Sequence, residues 1–301
     1  MTEYLNELLS TDTVMWLLQF EGAVYILTVF IVLYGAKLLY DLFTPFSLKE
    51  QLTEKDNKAV AVSFSGYMLG VLIILLGIFH SGSAVEGEIT TQLDLARDLL
   101  STIIWGIIGI LLLNVSRIVN DKLLLSKFDN VKELVQDKNI GTGAVLWGSY
   151  IGSALIVRAA VYGESMGWLA DIVSTLIFFA IGQLGFVIFG WLYIKISRYD
   201  VHAEIEKDNI SAGVAFGLSL TAIAILLSGY LMSYNSILGF LLWFVIGLIV
   251  LLASRYIVDK LMLPGSLLDE EITNDQNWGA ALLEGSIAVG IALLMVPAFL
   301  G

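Results

Sequence analysis

The chain has 301 residues, of which 57% are hydrophobic and 15% charged, against about 25% charged in a soluble domain. That composition excludes a water-soluble globular protein, and a net charge of −12 argues against nucleic acid as a partner. With no cysteine, disulfides, thiolate metal sites and thiol nucleophiles are removed together.

The N-terminal stretch carries Glu3, Glu7 and Asp12 and lacks the basic region of a signal peptide. Behind it, windows of about 20 apolar residues predict eight transmembrane helices, at roughly 20–40, 59–79, 99–119, 140–161, 170–194, 210–232, 236–256 and 278–299. The expected fold is an all-α integral membrane protein. Short polar connections follow the second, fourth and sixth helices, and longer charged ones follow the first, third, fifth and seventh. None is long enough for a separate soluble domain.

Charge sets the expected orientation. Of the 16 basic residues, 14 lie on the side of the longer connections, from Lys37 to Lys58, Arg117 to Lys138, Lys195 to Lys207, and Arg255 to Lys260. Only Arg97 and Arg158 lie on the other side. The positive-inside rule places the basic side in the cytoplasm and both termini outside a bacterial inner membrane.

A repeat runs through this pattern. Glu54-Lys55-Asp56-Asn57 opens the second apolar run, and the same tetrapeptide returns at Glu206-Lys207-Asp208-Asn209. Looser copies stand at Gln136-Asp137-Lys138-Asn139 and Asn274-Asp275-Gln276-Asn277. Two residues beyond each asparagine the side chain is small (Ala59, Gly141, Ser211, Gly279), as it is thirteen beyond (Gly70, Gly152, Ala222, Gly290). Each unit is one helix in, a charged connection and one helix out, and a fixed unit recurring in this way is an internal repeat. Ser116 to Leu123 also matches Ser254 to Leu261 at an offset of 138 residues, the offset between Asn139 and Asn277. Four two-helix repeats therefore group into two tandem four-helix halves, 1–163 and 164–301. Parallel repeats of this kind build many transporters, though any duplication with an even helix count gives the same symmetry.

The acidic connection ending in Asp-Asn, followed by Ala59-Val-Ala-Val-Ser-Phe-Ser-Gly-Tyr-Met-Leu-Gly70, resembles the YjfL-like bacterial inner-membrane family, a domain of unknown function. Shorter members of that family have about four helices, so this chain resembles two of them fused. The motif weakens in units two and four, where Lys138 and Gln276 replace the aspartate. The resemblance implies an inner-membrane location and no particular activity.

Each candidate residue has a plain structural reading beside a functional one. Asn57, Asn139, Asn209 and Asn277 suit helix N-caps; the alternative is that four helix N-termini converge at a cytoplasmic mouth and hold an ion. The small-residue stripe suits close helix packing, which puts the even-numbered helices at the bundle centre. The alternative is a pore lined by Ser63, Ser65, Ser149 and Ser219. Glu284 lies about 10 Å into the eighth helix at 1.5 Å per residue, where the aligned residues are Phe64, Leu146 and Phe216. A carboxylate at that depth is a functional hypothesis by default. Arg158 suits snorkelling or a pair with Glu164, and Asn114 and Gln183 suit interhelical hydrogen bonds. Arg117 and Arg255 suit residues that set topology, paired with Asp121 and Asp259 four residues on.

His80 and His202 have no metal-ligand spacing, and no phosphate-binding or nucleophile-elbow motif is present. The expectation is therefore a non-enzymatic protein with no catalytic, cofactor-binding or metal residues. Its function is read as a path for an ion or small solute between two pseudo-symmetric halves, with Glu284, Ser63, Ser65 and Ser149 along it. The alternative is a non-transporting scaffold or accessory subunit that recruits a cytoplasmic partner. The partners these readings call for are the lipid bilayer, a small ion, a cytoplasmic protein and a second copy of the chain.

Overall fold

The computed structural model describes residues 20–81, 92–163 and 165–301. The acidic N-terminal stretch with Glu3, Glu7 and Asp12, and Glu164 with its expected pairing, lie outside the described residues. Within them the secondary structure is helical throughout. Eight helices are long and apolar enough to cross a membrane. They are α1 (Phe20–Phe43), α2 (Lys58–His80), α3 (Gln92–Leu123), α5 (Ile140–Val161), α6 (Trp168–Ile196), α8 (Ile210–Ser233), α9 (Ile237–Ile257) and α11 (Trp278–Leu300). The helix α3 outruns its expected 99–119 at both ends. Asp94, Arg97, Arg117, Asp121 and Lys122 close the apolar window without stopping the helix, so hydropathy marks only the part that fits hydrocarbon.

The longer connections hold structure of their own. Short helices α4 (Asn130–Val135), α7 (Val201–Glu206) and α10 (Leu268–Thr273) occupy three of them, and a wide π-helical turn at Glu50–Glu54 occupies the first. Asp129 and Asp200 start α4 and α7 by accepting backbone N–H bonds, from Val131 and Lys132 and from Ala203. All four segments end alike. Asp56, Lys138, Asp208 and Gln276 take left-handed backbone angles, with φ of 44°, 54°, 61° and 46°. The next residue, the unit's asparagine, sends its N–H back to Gln51, Glu133, Glu204 or Glu271. That closure satisfies orphan carbonyls at a helix end, as left-handed caps do.

The asparagine then starts the next helix. The Oδ1 of Asn57, Asn139, Asn209 and Asn277 accepts from the N–H of Val60, Thr142, Ala212 and Ala280. The Nδ2 of each donates to Gln51, Glu133, Glu204 or Glu271 in its own connection. At Glu271 the hydrogen bond from Asn277 holds the carboxyl below the usual range. In the first three units Nδ2 also crosses to the following unit, meeting the carbonyl of Leu134, Ile205 or Ile272 at 2.7, 2.7 and 2.8 Å. Asn209→Ala should therefore cost the cap, about 1 kcal/mol, and a further 1–3 kcal/mol or so for partners left unsatisfied. Asn277→Ala, at an exposed residue with no such crossing bond among the described residues, should cost the cap alone. Thermal unfolding of the two variants in one detergent checks this, and equal losses would contradict it.

The units stand side by side in a row. The helix α2 packs along α5, α5 along α8, and α8 along α11. The two middle helices are 78% buried over their apolar windows, whereas α2 is 50% and α11 39% buried. The even-numbered spans thus form the spine, but its two end members are covered on one side only. Tight approach on the spine depends on glycine. A Cβ on Gly148 would run into the backbone of Gly217, and one on Gly213 into the backbone of Gly141. Around the spine, α1 and α9 expose Ile26, Phe30, Leu42, Leu238 and Leu242, as a surface facing hydrocarbon requires.

Candidate functional site

The deepest acid is held among four helices of the second half. Glu284 on α11 is 3% exposed, and its Oε1 lies 3.4 Å from Arg255 Nε at the end of α9. The guanidinium of Arg255 also donates to Asp269 on α10, and its Cζ stands 5.6 Å from the Tyr193 ring centre on α6. Tyr193 stacks on Phe216 of α8 at 5.0 Å, and Phe216 occupies the position that aligns with Glu284 in unit three.

Asp269 owes its position to Asp259. The Oδ1 of Asp259 accepts from Leu268 N–H at 2.8 Å, which fixes the start of α10 and turns Asp269 toward Arg255. The expected pair of Arg255 with Asp259 is therefore replaced by pairs with Asp269 and Glu284. An i,i+4 partner lost because α9 widens into a π-helical turn at Val258–Met262, which alters the register there. The first-half equivalent keeps the expected pair, with Arg117 3.8 Å from Asp121.

Beside Glu284 a cavity of about 30 Å³ is lined by Phe189, Tyr193, Ser219, Arg255, Glu284 and Ala288, among others. That is room for a water-sized guest. The Oε2 of Glu284 is buried and has no hydrogen-bond partner among the described residues. A buried carboxylate needs a cation and filled lone pairs to be tolerated; here the cation is present and one oxygen remains open. On the basic side the charges continue outward, because Arg198 Nε lies 4.0 Å from Asp269. Side-chain exposure falls from 75% at Arg198 to 21% at Asp269, 17% at Arg255 and 4% at Glu284. Alternating charges thus run from solvent to the buried acid.

The first half carries the same frame without the acids. Arg117 Cζ stands 5.5 Å from the Tyr40 ring, and Asn114 Nδ2 donates to the Tyr67 hydroxyl at 2.9 Å. The positions equivalent to Glu284 and Asp269 are Leu146 and Val131.

The four residues expected along one path do not come together. Ser149 accepts, with Ser153, from Asn120 Nδ2, and Gln183 Nε2 donates to Asn120 Oδ1, so this cluster joins α3, α5 and α6. Ser63 is buried on α2, while Ser65 is exposed and donates to the Val62 carbonyl of its own helix. Helical rotation separates them: Ser63 and Ser65 lie two residues apart, on different faces. The seam between the halves, where the expected route would run, is backbone against backbone at Gly148 and Gly217, and Glu284 lies among second-half helices.

Of the other candidates, all four asparagines spend Oδ1 on the cap and Nδ2 on their own connection, and Asn57, Asn139 and Asn209 add the crossing bond along the row. Ser219 lines the Glu284 cavity. His80 and His202 hydrogen-bond the carbonyls of Leu76 and Leu124 at 2.7 Å, and no group of three or more His, Asp or Glu suited to a metal occurs among the described residues. Arg158 packs its side chain against Gly77. Asp269 escaped the sequence reading because nothing in the acidic run Asp269-Glu270-Glu271 tells which member turns inward. On the opposite face, a hollow of about 960 Å³ bears Asp98 and Asp171, with the Tyr25 hydroxyl donating to Asp98 at 2.5 Å.

Comparison with known proteins gives two matches to the family described as Domain of Unknown Function (DUF350), over residues 12–161 and 167–299. A UPF0719 transmembrane protein of Aquifex aeolicus (strain VF5) is 26% identical over 210 residues, 68% of this chain and 72% of the relative. The UPF0719 transmembrane protein YshE of Bacillus subtilis (strain 168) is 27% identical over 128 residues, 42% of this chain and 94% of the relative. No solved structure matches the chain at a comparable significance.

Proposed function

The chain belongs to the Domain of Unknown Function (DUF350) family, as a multi-pass membrane protein with two copies of the domain, and from that premise we propose that its second half passes protons or a small cation. We take its finer placing to be YjfL-like and its setting to be a bacterial inner membrane, with the basic side in the cytoplasm. The role is non-enzymatic.

One observation carries the proposal: the open oxygen of Glu284 borders a water-sized cavity at the inner end of the charge sequence Arg198, Asp269, Arg255 and Glu284. Such a sequence lets a guest exchange partners step by step instead of facing the full cost of desolvation at once. Arg255 holds Glu284 in place and competes with the guest for its carboxylate. Beyond the cavity the buried residues of α11 are apolar, Ala292 and Met295, so passage requires α11 to move against α8. The duplicated frame in the first half lacks both acids and supports the bundle.

Flux into liposomes holding purified protein tests this. Wild-type protein should carry proton, sodium or potassium flux, and Glu284→Gln should reduce it at least about tenfold at equal folded content, a change worth some 1.4 kcal/mol in a barrier. Liposomes that carry none of these fluxes would remove the proposal and favour a scaffold whose basic face recruits a cytoplasmic partner.

Orientation has its own test. In this cysteine-free chain, Ser126→Cys and Asn235→Cys place single thiols at exposed positions on opposite faces. An impermeant thiol reagent should label Asn235→Cys in intact cells and reach Ser126→Cys only after lysis. The reverse pattern would invert the topology.

A further inference from the structure

We infer that the chain joins a second copy of itself head to tail, with α11 of one copy packed on α2 of the next in the register that joins units within the chain. The same join occurs three times inside one molecule. The residue nine beyond a unit's asparagine meets the residue eight beyond the next: Gly66 against Trp147, Gly148 against Gly217, Leu218 against Gly285. Each join is crossed by the asparagine Nδ2, which reaches a carbonyl in the following connection.

Both ends of the row expose the halves of a fourth join. On α11 the receiving face holds Ser286, which is exposed, and Gly290, whose added Cβ would meet nothing within 4 Å. Asn277 has its bond to Glu271 and no crossing bond among the described residues. On α2 the inserting face holds Ala61, Ser65 and Leu69, all exposed. The carbonyl equivalent to those of Leu134, Ile205 and Ile272 is that of Leu52. Small faces of this kind let transmembrane helices approach closely, and the complement that fits this register is α2. All units point the same way through the membrane, so a second copy added at one end keeps its orientation and leaves a further open end. Such head-to-tail contacts close into a ring when the rotation permits.

The register names the contact: Ser286 of one copy against Ser65 of the next. Two differently tagged copies, one Ser286→Cys and one Ser65→Cys, are co-expressed and oxidised in membranes. The expected result is a disulfide-linked band containing both tags. Leu218→Cys with Gly285→Cys in one chain reports that oxidation works at the internal join. No mixed band beside a positive internal control would overturn the inference, as would Ser286→Cys linking only to itself. Native mass measurement in nanodiscs is the second arm. Wild type should exceed one chain, and Gly290→Trp should fall to one chain that still unfolds cooperatively, since that site is open within the monomer and only the stabilisation supplied by the second copy is lost. A wild type of single-chain mass would also overturn it.

Discussion

Replacing Gly148 with leucine should leave little folded protein. The two halves meet at this position, and a Cβ there would overlap the carbonyl oxygen, carbonyl carbon and Cα of Gly217. Those are backbone atoms of a helix that is itself wedged, because Gly217 faces the carbonyl of Ala144. No rotamer change relieves the overlap, so α5 and α8 must separate along the most buried part of the spine. The cost should exceed the roughly 3 kcal/mol at the upper end of ordinary overpacking, more than a hundredfold in the ratio of folded to unfolded chains at about 1.4 kcal/mol per tenfold. Gly290→Leu is the matched control, a glycine to leucine change on an equivalent helix with open space around it. Purified yield and unfolding temperature should collapse for Gly148→Leu, whereas Gly290→Leu should still give folded protein in good yield. Similar behaviour of the two would mean that the seam between the halves does not rest on backbone contact.

Removing Arg255 should be the next most damaging single change. Its guanidinium is shared by Glu284, Asp269 and the Tyr193 ring, so Arg255→Met leaves two acids facing one another with no cation between them. Breaking a buried pair from one side costs about 3–5 kcal/mol, because the surviving charge stays buried. Glu284→Gln should cost much less, since Asp269 still pairs with Arg255 and an amide needs less solvation than a carboxylate. The double change Arg255→Met with Glu284→Gln should recover part of the loss. Unfolding temperatures of the four proteins form a double-mutant cycle, and additive losses would show that the two residues act independently.

How far the sequence reveals this arrangement depends on how local each signal is. Eight apolar runs, the asparagine caps and the small faces each carry their mark within a few residues, and all can be read without coordinates. The row of units is less accessible. Gly70 and Gly152 announce close packing but do not name the helix that approaches. The donating side of each asparagine is hidden too, since the carbonyl that Asn57 meets lies 77 residues on and a backbone carbonyl has no sequence signature. Glu284 stands out because three aligned repeats hold bulky apolar residues there. Its counter-ion does not, because Arg255 reads equally well as a residue that sets topology, and only the fold of α10 brings Asp269 beside it. The serines mislead for a related reason: hydroxyls in an apolar run look alike, although Ser149 is spent on Asn120 and Ser65 on its own helix.

The crossing bonds of the asparagines also bear on how the molecule is made. A chain leaving the ribosome presents Asn57 well before Leu134 exists, and Asn139 before Ile205. Each of the first three hairpins therefore enters the bilayer with one amide donor waiting for a carbonyl that translation has yet to supply. Insertion becomes a sequence of latches, in which every new pair of helices fastens the one before it and stays unfastened until the next arrives.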